Sequence, residues 1–227
     1  MAFHRLQPRS YGTFVLQVQR LAALAMVTLW CGLAAATDGP VKIVVLGDSL
    51  SAGLGLPAEA AFPAKLAVAL KAKGIAVTVA NAGVSGDTAS GGLGRLDWSV
   101  PECTEAVILE LGANDALRGL DPKLTKAALD TTLSKLKERR IAVLLAGMMA
   151  PRNMGAEYVR SFDAIFPALA SIHDVVLYPF FLEGVAGDAK LNQPDGLHPT
   201  AAGIDIIVAR ILPKVEELIA KTRANKK

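Results

Sequence analysis

Five short apolar runs recur along the chain with helix-like stretches between them: 41–46 (VKIVVL), 75–80 (IAVTVA), 105–111 (EAVILEL), 141–147 (IAVLLAG) and 175–178 (VVLY). Each is nearly continuous rather than alternating, the pattern of parallel strands covered on both faces. The clearest helix between them is "DPKLTKAALDTTLSKLKERR". Asp121 is suited to the N-cap and Pro122 to the first helical position. Leu129, Leu133 and Leu136 then return on one face, and basic residues crowd the last turn. A final helix is expected from near Pro199, burying Ile204, Ile207, Val208 and Ile211, with Pro213 kinking or dividing it. About five strand–helix alternations predict a doubly wound, three-layer α/β/α domain on a parallel sheet. At 227 residues the chain suits one such domain, with neither repeats nor a low-complexity linker to divide it.

The first 36 residues read differently. Arg5, Arg9 and Arg20 stand there without an acidic residue, ahead of the apolar run "LAALAMVTLWCGLAAA". Ala34, Ala35 and Ala36 before Thr37 match the small-residue rule for signal peptidase, and the run falls short of the about 20 residues of a spanning helix. The expectation is a cleaved export leader over 1–36 and one domain over 37–227, and hence a periplasmic or secreted product. Cys31 follows Trp30 rather than a small residue, which argues against lipidation, and no paired arginines precede the run. The cut also changes the charge. Of 24 basic residues three leave with the leader, so 21 face 21 acidic ones and the remaining chain is neutral. Nothing in that balance, and no interleaving of basic and aromatic residues, points to nucleic acid. Cys103 alone remains, so no internal disulfide forms, and a structural role is expected for it.

In doubly wound folds ligands bind beyond the carboxyl ends of the strands. Four polar, glycine-bearing blocks sit there in this chain: "GDSLS" from Gly47, "NAGVSGDT" from Asn81, "GAND" from Gly112, and "DGLHPT" from Asp195 before the last helix. Any single block is what a turn requires anyway. A phosphate loop is disfavoured, because no Lys follows Gly53 and Gly53/Gly55 do not complete G-x-G-x-x-G. Acyl transfer fits better. A serine hydroxyl needs a base, and among three histidines His4 leaves with the leader and His173 belongs to a helix end. His198 remains, with Asp195 three residues earlier, close enough to fix its tautomer and stabilise the imidazolium. Charge developing on a carbonyl oxygen needs donors, for which the Ser49 N–H, the Gly86 N–H and the Asn114 amide are candidates. Asp48 is expected to brace the serine turn, and Asp115 to order the Asn114 loop.

Taken together, "GDSLS" with Ser49, "SGDT" with Gly86, "GAND" with Asn114 and "DGLHP" with Asp195 and His198 resemble the four blocks of the SGNH (GDSL) hydrolase family. The stretches "NAGVSGDTASGGLGRL", "ELGANDALRG" and "PFFLEGV" resemble its branch of bacterial arylesterases, lysophospholipases and acyl-CoA thioesterases. The resemblance implies a flavodoxin-like sheet, a Ser49–His198–Asp195 triad and an oxyanion hole of Ser49, Gly86 and Asn114. It further implies a small acyl ester or thioester substrate, with neither metal nor organic cofactor. Sugar O-acetyl esters are the alternative substrate class, and a lipid-binding module without turnover is the non-enzymatic one. Leu117, Leu120, Met148, Met149 and Met154 are the candidates to line an acyl groove, or equally to fill core.

Overall fold

A computed structural model describes residues 39–225 of the chain. The expected leader over 1–36 lies outside the described residues. Five strands, β1 (Val41–Gly47), β2 (Val77–Gly83), β3 (Ala106–Glu110), β4 (Ala142–Ala146) and β5 (Val176–Tyr178), pair in parallel in the order β2-β1-β3-β4-β5. Among the described residues nine α-helices connect and follow them: α1 (Ser49–Ala52), α2 (Phe62–Ala72), α3 (Ala89–Gly94), α4 (Leu96–Ser99), α5 (Ala113–Leu117), α6 (Pro122–Glu138), α7 (Ala156–Asp163), α8 (Ile165–His173) and α9 (Ala201–Ala224). Helices α2 and α9 pack together on one side of the sheet, and α3, α6 and α8 form the other layer. The expected three-layer α/β/α architecture is therefore the observed one. Its strand order reverses between β1 and β3, the position at which such sheets open a crevice for ligands.

The central strands are buried as their composition requires: all five residues of β3 are buried, as are six of the seven in β1. Phe62 of α2 meets Phe181 edge-on at 5.0 Å between ring centroids, which closes the core beneath the α2–α9 layer. Helix α6 begins as its sequence predicts. Asp121 accepts the Lys123 N–H at 2.9 Å, Pro122 opens the helix, and Leu129, Leu133 and Leu136 are buried.

Three local expectations are corrected. The second strand is not 75–80 but extends to Gly83, because β1 pairs with it in register as far as Gly47↔Gly83. It is also an edge strand, half-buried and alternating rather than covered on both faces, since only β1 flanks it. The last helix starts at Ala201 after a Thr200 N-cap, and it runs unbroken through Pro213. Both Pro213 and Ala209, whose carbonyl loses its donor there, lie on the exposed face, where the freed group is open to solvent.

Candidate active site

The site forms where β1, β3 and the loop before α9 meet. Gly47 ends β1 between Gly83 and Glu110 of its neighbours, and α1 starts two residues later at Ser49. A glycine is required at 47 by contact rather than by conformation. A Cβ there would stand 2.2 Å from Ser51 Oγ, 2.6 Å from Glu110 Oε2 and 2.7 Å from the Glu110 carbonyl oxygen. Asp48 caps α1, its Oδ1 accepting the Leu50 N–H at 2.9 Å. Ser49 is thereby presented at the floor of a cavity of about 570 Å³ with its side chain almost buried.

From the far end of the chain, the loop ahead of α9 brings His198. The Asp195 side chain folds back on its own loop: Oδ1 accepts the Leu197 N–H at 2.9 Å and the His198 N–H at 3.0 Å. Its Oδ2 meets His198 Nδ1 at 2.6 Å, and His198 Nε2 meets Ser49 Oγ at 2.8 Å. Aspartate, histidine and serine thus form one continuous hydrogen-bonded chain across 149 residues of sequence. The N–H bonds from His198 and Leu197, with His198 itself, hold the Asp195 carboxyl down at about 2. It is therefore an anion facing the imidazole throughout the neutral range.

The candidate donors converge on the same opening. Ser85, Gly86 and Asn114 line the cavity with Ser49 and His198. Gly86 has φ +84°, a conformation that side-chain-bearing residues rarely adopt, and Arg118 donates to its carbonyl at 2.7 Å. Neither the Ser49 nor the Gly86 N–H has an acceptor among the described residues. One N–H of the Asn114 amide goes to Asp48 Oδ2 at 3.0 Å, which leaves its second hydrogen for the cavity. Asp115 orders this loop in the way its position suggests: its carboxylate accepts the Ala89 N–H and the Thr125 hydroxyl, both at 2.9 Å.

Apolar side chains dominate the rest of the cavity wall. Leu117, Met148 and Met149 line it, joined by Leu54, Phe180 and Leu182, which sequence reasoning did not single out. Leu120 and Met154 are not among the lining residues. The Met154 methyl lies against Gly119 and its side chain lines a neighbouring depression, while the Leu120 carbonyl accepts the Tyr158 hydroxyl at 2.9 Å. His173 ends α8 and pairs with Asp130 of α6 at 2.6 Å, so it ties two helices rather than capping or standing free. Cys103 is exposed in the loop before β3 and has no part in the core.

Three supporting residues escaped the sequence reading because their partners are distant. Buried Arg95 donates to the carbonyls of Gly47 (2.8 Å) and Ala82 (2.7 Å) and to Asp87 (2.5 Å), clamping the ends of β1 and β2 to the Gly86 loop. Gln193 donates to the Leu54 carbonyl at 2.7 Å and the Pro199 carbonyl at 3.0 Å, holding the histidine loop against the serine loop. Glu110, wholly buried, lies directly under Asp48. The available signal was an acidic residue inside an otherwise aliphatic strand.

The chain is similar to several known esterases and thioesterases. An arylesterase of Vibrio mimicus is 42% identical over 177 residues, covering 78% of this chain and 88% of that protein. The thioesterase 1/protease 1/lysophospholipase L1 of Escherichia coli K12 is 38% identical over 187 residues, covering 82% and 87%. Among solved structures, AlinE4, an SGNH-hydrolase family esterase, is 45% identical with a TM-score of 0.67, over 80% of this chain and 98% of that one. The model of the GDSL-like lipase/acylhydrolase family matches residues 45–206, a span that contains every member of the hydrogen-bonded chain and every candidate donor, and the protein belongs to that family.

Proposed function

We propose that the protein is a serine esterase acting on carboxylic esters or thioesters of apolar acyl chains. The carrying observation is the unbroken Asp195–His198–Ser49 hydrogen-bonded chain at the floor of an apolar cavity. Ser49 Oγ attacks the acyl carbonyl carbon while His198 Nε2 takes its proton. The oxygen that becomes negative is met by the Ser49 and Gly86 N–H groups and the Asn114 amide. When the intermediate collapses, the bond to the leaving oxygen or sulfur breaks and His198 returns its proton to that atom. Water, deprotonated by the same imidazole, then attacks the acyl-serine; the acyl–Oγ bond breaks, His198 returns the proton to Ser49 Oγ, and the acid leaves. Asp195 holds the imidazole in the tautomer that presents Nε2 to the serine, and stabilises it when charged.

The apolar wall formed by Leu117, Met148, Met149, Phe180 and Leu182 supports acyl chains longer than acetyl over sugar O-acetyl groups, which offer nothing to fill it. Residues 1–36 serve as the export leader in this reading, leaving a neutral domain from Thr37 that works outside the cytoplasm. N-terminal sequencing of the exported protein tests that assignment. No helix among the described residues is long and apolar enough to cross a membrane.

Purified protein is expected to release p-nitrophenol from p-nitrophenyl esters with no added metal. A fluorophosphonate probe should add its mass to the peptide bearing Ser49, and Ser49→Ala should abolish both labelling and turnover. Turnover by the Ser49→Ala protein at the wild-type rate refutes the proposal.

A further inference from the structure

Glu110 is a fully buried carboxyl for which the proposed reaction has no use. It ends β3 beside Gly47, with no exposed surface, and its Oε1 is without a hydrogen-bond partner. Its Oε2 accepts the Asp48 N–H at 3.4 Å, and the hydroxyl of neighbouring Ser51 donates to the Asp48 carbonyl at 3.4 Å. The bare glycine at 47 is what lets this group approach so closely.

Two buried carboxyls whose charges act on each other hold one proton between them more readily than none. Their partners decide which one carries it. Both oxygens of Asp48 accept N–H groups, from Leu50 at 2.9 Å and from Asn114 at 3.0 Å, so a proton on Oδ2 would push the Asn114 amide away. Glu110 has an oxygen with no donor at all, which a charged carboxylate tolerates badly and a neutral acid tolerates better. Burial, then the Asp48 charge, raise Glu110 well above the usual carboxylate range. Asp48 is raised to about 6, chiefly by burial, against the lowering action of Leu50, Asn114 and His198. The other ionisable groups facing Asp48 are Asp115 of α5 and His198 of the loop before α9; Arg95 reaches the Gly47 carbonyl beside it.

We propose that Glu110 is a positioning residue: as a buried neutral acid it props the Asp48–Ser51 turn from below and reserves the negative charge for Asp48, whose carboxylate then aims the Asn114 amide at the oxyanion. This deepens the esterase reading and rests on it. The Asn114 donor is in place while Asp48 is ionised and is lost as Asp48 takes up a proton, so the rate falls on the acid side partly through this pair.

Infrared difference spectra and pH–rate profiles on a p-nitrophenyl ester test the proposal. Wild type minus Glu110→Gln at pH above neutrality should contain the carbonyl stretch of a protonated carboxylic acid. Glu110→Gln, of the same shape and without charge, should keep kcat within about threefold and leave the acid limb unmoved. Glu110→Ala should lower kcat by up to about 10²-fold with KM little changed, because the turn above it shifts. Asp48→Asn should cost about 10²–10³-fold in kcat, the loss of one aimed donor. Absence of the acid band, an acid limb in Glu110→Gln displaced downward, or full kcat in Glu110→Ala would each overturn the proposal while the wild type remains an active esterase. A wild type that turns over no ester removes the functional reading and this inference with it. Should Glu110→Ala fail to fold, the infrared band and the Glu110→Gln profile decide.

Discussion

Replacing Asn114 by alanine separates what this residue does for the reaction from what it does for the fold. Its amide gives one hydrogen to Asp48 Oδ2 at 3.0 Å and leaves the other for the cavity. Removing an oxyanion donor costs about 2.7–4 kcal/mol of barrier, so kcat should fall about 10²–10³-fold with KM little altered. The structural cost has a ceiling that follows from Asp48. A buried carboxylate stripped of a hydrogen bond loses about 1–3 kcal/mol. Asp48, however, can escape by taking a proton, and with its pKa already raised to about 6 that costs only about 1.4 kcal/mol at pH 7. The destabilisation should therefore stop near about 1.4 kcal/mol at pH 7, a fall of about 3–6 °C in Tm for a domain of this size, and shrink towards zero by about pH 5. Calorimetry at the two pH values, beside initial rates on a p-nitrophenyl ester, measures both effects. A kcat within about fivefold of wild type would remove Asn114 from the oxyanion site. A Tm loss as large at pH 5 as at pH 7 would refute the role assigned to the Asp48 charge.

Gly47→Ala should destabilise by about 1–3 kcal/mol or more, since Ser51 Oγ can rotate away but the Glu110 carbonyl 2.7 Å from the new Cβ cannot; a denaturation midpoint equal to wild type would contradict this. The folded-state pKa of Asp48 lies above its unfolded value, so its ionisation opposes folding: stability should rise by about 3 kcal/mol as the pH falls from above 6 to below 3.8, an increment that Asp48→Asn should lack in urea titrations across that range. Asp195 has the opposite sign. Held down at about 2, it contributes stability above its unfolded pKa that is lost as the pH falls through about 2, so wild type should lose stability between about pH 4 and pH 2 in a way that Asp195→Asn does not. Met149 is partly exposed on the cavity wall, and Met149→Trp should move the peak of a rate profile across acetyl to palmitoyl esters towards shorter chains; an unmoved peak would place the acyl chain elsewhere.

The strands, the α6 cap and the four polar blocks could all be read in one dimension, because each depends on neighbours close along the chain. Asp121 caps the helix that starts at the next residue, and Asp195 grips His198 three residues on. Apolar runs mark parallel strands because such strands meet helices on both faces, whatever their order. For this reason the three-layer class and the residues Ser49, Gly86, Asn114, Asp195 and His198 were legible before any coordinates. The order β2-β1-β3-β4-β5 was not, nor was the edge position that leaves β2 half-buried. Composition records how greasy a strand is, and not which strand lies beside it.

Folding alone determined the partners that act across long separations. Glu110 looks like an interruption in "AVILEL" until β3 is laid beside β1 and its carboxyl arrives under Asp48, 62 residues away. Arg95 follows a glycine-rich helix, and only the fold brings its guanidinium to the ends of two strands. Met154 and Leu120 passed as groove residues by composition and proximity, and packing left both outside the cavity wall, Met154 in a separate depression. Local sequence specifies conformations and the chemistry a residue carries. Burial, and with it the charge a carboxyl can hold and the atom it can aim, depends on which segments the tertiary fold presses together.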